Sequence, residues 1–166
     1  MIFTAEKDGF IISTDKHQLD IISIHQYLSK EAYWCKNVPL EIVKRSIDNS
    51  VCFGIYDNNQ PHLPAGIERL AAVRQVGFAR VITDKATFGY LADVFIINDY
   101  RGRGLSKWMM QCIMSDPELQ GFRSWLLGTK DAHGLYSQFG FKPLEHPERF
   151  MRYGLFTEYP AVDENK

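Results

Sequence analysis

Short apolar runs bounded by turn residues recur along the chain and predict β-strands. Five such runs are residues 9–14, 51–56, 75–83, 87–98 and 123–128. Two shorter runs predict the last strands, at residues 141–144 and 149–153. The longest run, residues 87–98, leads directly into a turn that is rich in glycine.

Other segments repeat apolar residues every three or four positions, which predicts amphipathic helices. These segments are residues 18–30, 39–49, 132–140 and the segment that follows Gly104. In the first helix we expect an apolar side made of Leu19, Ile22, Ile24 and Leu28. In the helix after Gly104 the apolar side is expected to consist of Leu105, Trp108, Met109, Cys112 and Ile113.

The order of these elements predicts a mixed α/β fold in a single domain. A helix pair precedes an antiparallel meander, and the chain then continues as strand, helix, strand, helix and strand. The length of 166 residues suits one domain. We expect this domain to span residues 1–154 and to be followed by a loose tail at residues 155–166.

Residues 61–74 do not fit this order. Without them, the strands on either side would be joined by a plain hairpin turn. The segment predicts a short helix with Ile67, Leu70, Ala71 and Arg74 on one side. It is either a tolerated insertion, which the low cost of lengthening a loop favours, or a flap that contacts a substrate or a docking partner.

Charge and composition exclude several classes of protein. Nineteen Lys and Arg residues stand against twenty Asp and Glu residues, so we do not expect nucleic acid to be the main partner. No apolar stretch is long enough to span a bilayer, and residues 1–15 lack the apolar core of a signal peptide. Cys35, Cys52 and Cys112 are far apart, which predicts reduced thiols in a cytoplasmic protein, without a metal site or a membrane anchor.

The turn at residues 101–104 combines two arginines with two glycines between a strand and a helix. Backbone N–H groups at a helix N-terminus favour anions, and glycine lets a phosphate approach them closely. The nucleotide-binding patterns are incomplete here, because Lys107 stands where a dinucleotide fingerprint has its third glycine. The turn therefore predicts a phosphate site of another kind, and a capped turn with solvated arginines is the alternative.

Two motifs together resemble the GNAT N-acetyltransferase superfamily, most closely its small bacterial members. The first is Arg101-Gly102-Arg103-Gly104-Leu105-Ser106, similar to the family's [QR]-x-x-G-x-[GA] at the start of its central helix. The second is Tyr136-Ser137-Gln138-Phe139-Gly140-Phe141, similar to its Y-x-x-x-G-F ending. Ser106 departs from the pattern, but it is small and keeps its backbone N–H. The resemblance runs from about Gly9 to Tyr153 apart from the insertion, and it implies a central, mostly antiparallel mixed sheet with helices on both faces.

The resemblance implies acetyl-CoA as a co-substrate and an amine as the acceptor, which attacks the thioester directly. The pyrophosphate would lie on the backbone of Arg101, Gly102, Arg103, Gly104, Leu105 and Ser106. The pantetheine arm would lie along Asp93, Val94, Phe95 and Ile96. A non-catalytic acyl-CoA-binding or regulatory module with the same fold is the alternative, and a homodimer is an assembly often formed in the superfamily.

The same resemblance implies roles for individual side chains. Tyr136 would donate to the leaving thiolate, and a backbone N–H at Val94 or Phe95 would stabilise the carbonyl oxygen. Asp93 would take a proton from the amine through water, or orient the amine. A buried carboxylate paired with the backbone or with Arg80 is an equally good interpretation of Asp93. Tyr33 and Trp34, in an aromatic-rich loop, would line the acceptor site, and core packing is their alternative.

Overall fold

The computed structural model describes residues 1–59, 73–154 and 158–160. Its strands are β1 (Thr4–Lys7), β2 (Phe10–Ser13), β3 (Val51–Asp57), β4 (Arg74–Thr83), β5 (Phe88–Ile96) and β6 (Ser124–Leu127). Its α-helices are α1 (Ile21–Lys30), α2 (Leu40–Asp48), α3 (Leu105–Ser115) and α4 (His133–Tyr136). Short 3₁₀ turns are formed by Lys16–Gln18, Asn98–Tyr100, Pro117–Leu119, Ser137–Phe139 and Pro147–Arg149.

The six described strands form one sheet in sequence order, from β1 to β6. Each neighbouring pair from β1 to β5 is antiparallel. The last pair, β5 and β6, is parallel because α3 carries the chain back across the sheet between them. The prediction of a mixed, mostly antiparallel sheet is thus confirmed.

Helices cover both faces of this sheet, as the resemblance implied. On one face, Met109 and Ile113 of α3 share a buried cluster with Phe53 and Val81 of the sheet. On the other face, a second buried cluster joins α1 and α2 to different strand positions, namely Ile24, Val43 and Ile47 against Cys52, Phe78 and Phe95. Residues that alternate along one strand therefore serve two separate cores.

The helix after the glycine turn matches its prediction fully. Its five predicted apolar residues are all buried in one cluster: Leu105, Trp108, Met109, Cys112 and Ile113. In α1 the prediction is partly wrong, because Ile22 is 53% exposed while Ile24 and Leu28 are buried. A ten-residue helix with one covered side cannot bury positions 22 and 24 together, since they lie about 200° apart around the axis.

The strand predictions are wrong at both ends of the chain. β1 was not expected, yet it forms a hairpin with β2 through Asp8 and Gly9, whose φ angles are 49° and 77°. Such a two-residue Asp-Gly turn is a sequence signal for a hairpin. Residues 141–144 and 149–153 form no strand, and Pro143 and Pro147 in and before these runs cannot donate to a strand ladder.

Residues 61–72 of the predicted insertion lie outside the described residues. Arg74 is described, and it is the first residue of β4 instead of the end of a helix. Of the predicted tail, residues 158–160 are described. Tyr159 packs partly buried against the α1 and α2 side, and its carbonyl accepts from the Asn37 side chain at 3.4 Å.

Within residues 1–59, 73–154 and 158–160, no helix is long and apolar enough to cross a membrane. The same residues contain no group of three or more His, Cys, Asp or Glu side chains arranged to hold a metal ion.

Candidate functional site

The glycine turn presents a row of free backbone donors at the start of α3. Gly102 and Gly104 both have φ of 76°, and Gly104 is the N-cap of the helix. The first helical hydrogen bond runs from the Trp108 N–H to the Gly104 carbonyl at 3.0 Å. The N–H groups of residues 102–107 donate to no described residue. A Cβ built on either glycine meets nothing within 4 Å, so the space beside the donors is open, as an anion site requires.

Neither arginine of the turn contributes its charge to this row of donors. Arg101 donates from Nε to the Ile96 carbonyl at 3.0 Å and from Nη2 to the Tyr27 hydroxyl at 2.7 Å. Its backbone N–H is also used, by the Asn98 carbonyl at 3.2 Å. Arg103 lies over the Tyr100 ring, with Cζ 4.9 Å from the centroid. An anion placed at this turn would therefore meet backbone donors and the helix dipole before either arginine side chain.

Shortly before the glycine turn, β5 is no longer paired with β6. The pairing of β5 with β6 ends at Leu91 opposite Leu127, so residues 92–96 have no partner on β6. On the other side of β5, the register with β4 leaves Asp93 and Val94 opposite the single residue Ala79. This bulge holds Asp93 at a φ of 53°. β5 thus offers an open edge for an extended ligand, directly upstream of the free donors.

Asp93 is largely buried in a network of polar contacts. Arg80 donates from Nε to Asp93 Oδ2 at 2.5 Å, and the Trp34 indole N–H donates to Oδ1 at 2.9 Å. The Arg80 and Asp93 side chains are 17% and 10% exposed. Arg80 also reaches the Ser50 hydroxyl at 3.3 Å. The structure therefore shows the buried ion pair with Arg80 that was one of the two interpretations of Asp93.

Trp34 belongs to the loop of residues 31–37 between α1 and α2, which we call the aromatic loop. Trp34 and Tyr33 are 40% and 49% exposed, and their rings meet edge to face at 5.0 Å. The Tyr33 hydroxyl accepts from the backbone N–H of Lys130, in the loop after β6, at 2.9 Å. The aromatic loop therefore contacts both sides of the opening between β5 and β6.

Tyr136 lies at the end of α4 and is 8% exposed. Its ring packs edge to face on Phe141, with centroids 6.1 Å apart. Burial, with smaller contributions from Tyr33 and Asp131, raises the pKa of Tyr136 from 10.0 to about 12. The hydroxyl makes no hydrogen bond to any described residue, so it is available to a ligand.

Known proteins resemble this chain in sequence and in fold. Residues 51–143 match the family model of the acetyltransferase (GNAT) domain. The chain belongs to the GNAT family. The predicted resemblance is thereby confirmed, and the match includes both the glycine turn and Tyr136.

Individual relatives agree with this assignment. A Gibberella zeae protein with the name "Putative acetyltransferase FG08082" is 32% identical over 145 residues, which are 82% of this chain and 81% of that protein. The crystal structure of a GNAT family protein from Xanthomonas campestris is 43% identical, with a TM-score of 0.78 over 90% of this chain and 96% of that one. A Clostridium acetobutylicum predicted acetyltransferase, solved with acetyl-CoA, is 12% identical and shares the fold, with a TM-score of 0.60 over 93% and 97% of the chains.

In this GNAT protein the structure places residues at the candidate site that the sequence analysis did not select. Arg80 appeared only as a pairing partner for Asp93, and Tyr27 and Lys130 did not appear. A charged residue inside the apolar run at 75–83 is the signal that could have selected Arg80, because a buried charge needs a partner. No sequence signal marks Tyr27, whose part depends on the path of α1 past the end of β5.

Proposed function

We propose that this GNAT protein transfers the acetyl group of acetyl-CoA to a primary amine. One observation carries the proposal: the free N–H groups of residues 102–107 lie directly after the unpaired edge of β5. A ligand with a pyrophosphate at one end and an extended, amide-containing arm at the other fits this arrangement. Acetyl-CoA has both parts.

The pyrophosphate would be bound by the backbone of Gly102, Arg103, Gly104, Leu105 and Ser106. Arg101 would not bind the pyrophosphate directly, because its N–H is donated to Asn98 and its side chain to Ile96 and Tyr27. The arm would lie along Val94, Phe95 and Ile96, where the backbone groups of β5 have no partner on β6. In this position the thioester would lie near the bulge at Asp93 and Val94, and the N–H of Val94 or Phe95 would donate to the carbonyl oxygen.

The reaction needs a neutral amine, since an ammonium group has no free electron pair. The amine nitrogen attacks the thioester carbonyl carbon, the C–S bond breaks, and the nitrogen loses one proton while the thiolate gains one. Tyr136 has a pKa of about 12 against ~8.5 for a thiol, so complete proton transfer from Tyr136 is uphill by roughly 5 kcal/mol. We therefore assign Tyr136 a hydrogen bond to the developing thiolate, with the proton arriving from solvent.

The acceptor would lie against the exposed rings of Tyr33 and Trp34, on the side of the opening that faces the aromatic loop. Small amines, peptide N-termini and lysine side chains all meet the chemical requirement. Asp93 is the sequence-based candidate for taking the amine proton or orienting the amine, and each of its carboxylate oxygens already accepts a hydrogen bond.

Calorimetric titration with acetyl-CoA, followed by an amine panel in which free CoA is measured, tests the proposal. We expect saturable binding, a raised melting temperature and turnover with at least one amine. Tyr136→Phe removes one donor to the developing thiolate, so it should lower kcat by about 10²- to 10³-fold and leave the acetyl-CoA Kd nearly unchanged. Unchanged turnover in this variant would remove Tyr136 from the mechanism.

A Ser137→Ala variant is the matched control, since the Ser137 hydroxyl is exposed and its hydrogen bond, to the Gly134 carbonyl at 3.4 Å, is local. It should have wild-type kinetics. Binding of acetyl-CoA without turnover on any amine would support the alternative of a non-catalytic acyl-CoA-binding module.

A further inference from the structure

We propose that Asp93 is a positioning residue that fixes the aromatic loop through Trp34, and that Arg80 acts through Asp93. The inference rests on the proposed function, because the loop is assigned there to the acceptor site. Under this inference Asp93 is not the base that accepts the amine proton. It holds the aromatic loop, and therefore the acceptor site, in place. The contacts of Asp93 carry the argument.

Both carboxylate oxygens of Asp93 are already bound. Oδ2 accepts from Arg80 at 2.5 Å and Oδ1 accepts from the Trp34 indole at 2.9 Å. Each oxygen keeps a second lone pair, but a proton placed on it would remove the carboxylate charge from the ion pair with Arg80. The Asp93 side chain is 10% exposed. A carboxylate that is buried and bound in this way is suited to accepting two hydrogen bonds of fixed geometry.

The backbone of β5 sets the direction of this carboxylate. Asp93 has a φ of 53° within the bulge opposite Ala79, a conformation that Asp and Asn adopt more easily than other non-glycine residues. Bulges turn a side chain away from its regular place in the strand. Here the bulge directs the carboxylate to Trp34, which is 59 residues away in sequence.

The aromatic loop is therefore fixed at two points on opposite sides of the opening. Trp34 is bound to β5 through Asp93, and Tyr33 is bound to the Lys130 N–H beyond β6. Loss of the contact to Asp93 would release the Trp34 ring from β5 and disturb its edge-to-face packing on Tyr33. The acceptor should then bind more weakly, whereas the backbone donors of residues 102–107 for acetyl-CoA are unaffected.

Trp34→Phe and Asp93→Asn, alone and combined, test this inference. Phe keeps an aromatic ring without the indole N–H, and Asn tolerates the positive φ but has only one acceptor oxygen. We expect each variant to raise the acceptor KM about tenfold, with the acetyl-CoA Kd unchanged. The double variant should be little worse than either single one, because both remove the same contact.

The pH profile separates a positioning role from a base. Asp93→Asn should keep the acidic limb of the kcat profile, and its kcat should fall much less than its acceptor affinity. The proposal is overturned if Asp93→Asn removes that limb and lowers kcat by about 100-fold or more while Trp34→Phe leaves the acceptor KM unchanged. Trp125→Phe, in β6, is the control tryptophan variant, with an expected acceptor KM equal to that of the wild type.

A second measurement needs no acetyl transfer. The chain has three tryptophans, so ¹⁵N-labelled protein gives three indole N–H signals, and Trp34→Phe identifies the one from Trp34. In Asp93→Asn we expect this signal to move and to exchange faster with water, while the Trp108 and Trp125 signals stay in place. An unmoved Trp34 signal overturns the proposal. The failure of every amine as an acceptor, with a moved signal, would contradict the proposed function and leave the anchoring by Asp93 established.

Discussion

The Arg101 guanidinium donates a hydrogen bond to the Tyr27 hydroxyl at 2.7 Å, which ties the glycine turn to α1. The Tyr27 ring in turn stacks on Phe95, with ring centroids 3.8 Å apart and planes 8° from parallel. The end of α1, the unpaired part of β5 and the glycine turn are thus joined through side chains. The first arginine of the turn therefore joins parts of the fold, and under the proposed function the anion would be bound by the backbone.

Tyr27→Phe tests this connection, because it keeps the stacked ring and removes only the acceptor for Arg101. We expect the free energy of unfolding to fall by about 1 kcal/mol, the usual contribution of such a hydrogen bond. Urea unfolding measures the change. Tyr90→Phe is the control, since Tyr90 is 36% exposed and its hydroxyl has no hydrogen bond to a described residue. Equal stabilities for both variants would contradict the role given to Arg101.

Gly104→Ala tests the backbone anion site. With a φ of 76°, a non-glycine residue at this position is strained by about 1–2 kcal/mol, and relaxation of that strain would redirect the free N–H groups. We expect acetyl-CoA to bind at least tenfold more weakly, as measured by calorimetry.

Gly121→Ala is its matched control. Gly121 has a φ of 78° and equally open surroundings, but it lies beyond α3 and away from the turn. It should show a similar loss of stability with an unchanged acetyl-CoA Kd. If both variants bind acetyl-CoA as the wild type does, the pyrophosphate is not held by this turn.

Alkaline pH should destabilise the fold. Burial raises the pKa values of Cys35 and Cys52 from 9.0 to about 12, and that of Cys112 to about 11. The folded state therefore holds these protons more tightly than the unfolded state, so stability is complete below pH 9 and falls as the pH rises towards 12. Tyr136 adds to this fall above pH 10.

The urea concentration at the midpoint of unfolding, measured from pH 7 to 11, should stay constant up to about pH 9 and then decline. In Cys35→Ser the decline should be shallower, because serine does not titrate and can still donate to the Leu28 carbonyl, as the thiol does at 3.3 Å. A midpoint that stays constant up to pH 11 would mean that the thiols are not buried as the structure has them.

Gly89→Ala should weaken the junction of β5 with β6. Gly89 pairs with Trp125, and a Cβ on Gly89 would lie 2.8 Å from the Trp125 ring. Overpacking of this kind costs about 1–3 kcal/mol, which urea unfolding would detect. Gly128→Ala is the control, because its Cβ would lie 3.4 Å from Tyr90 at ordinary contact distance. A Gly89→Ala variant as stable as the control would show that Trp125 moves aside freely.

Several parts of this protein could be predicted from local sequence alone. The apolar spacing in α3 is one, because a single covered side of a helix imposes the period of 3.6 residues on its sequence. The turn of Gly102 and Gly104 with its free N–H groups is another, since it depends on glycine and a following helix, both of which are local. The order of the two motifs around α3 and Tyr136 was enough to identify the family.

Other parts were decided only by the tertiary structure. For Asp93, the sequence analysis offered Arg80 as one possible partner but did not suggest Trp34, which is 59 residues away. Both contacts depend on the register of β4 with β5 and on a bulge that no residue pattern marks. The contacts of the two arginines of the turn could not be predicted either: Arg101 binds α1 and Arg103 lies over Tyr100. A long charged side chain can reach several hydrogen-bond acceptors, and only the folded structure determines which acceptors lie within its reach.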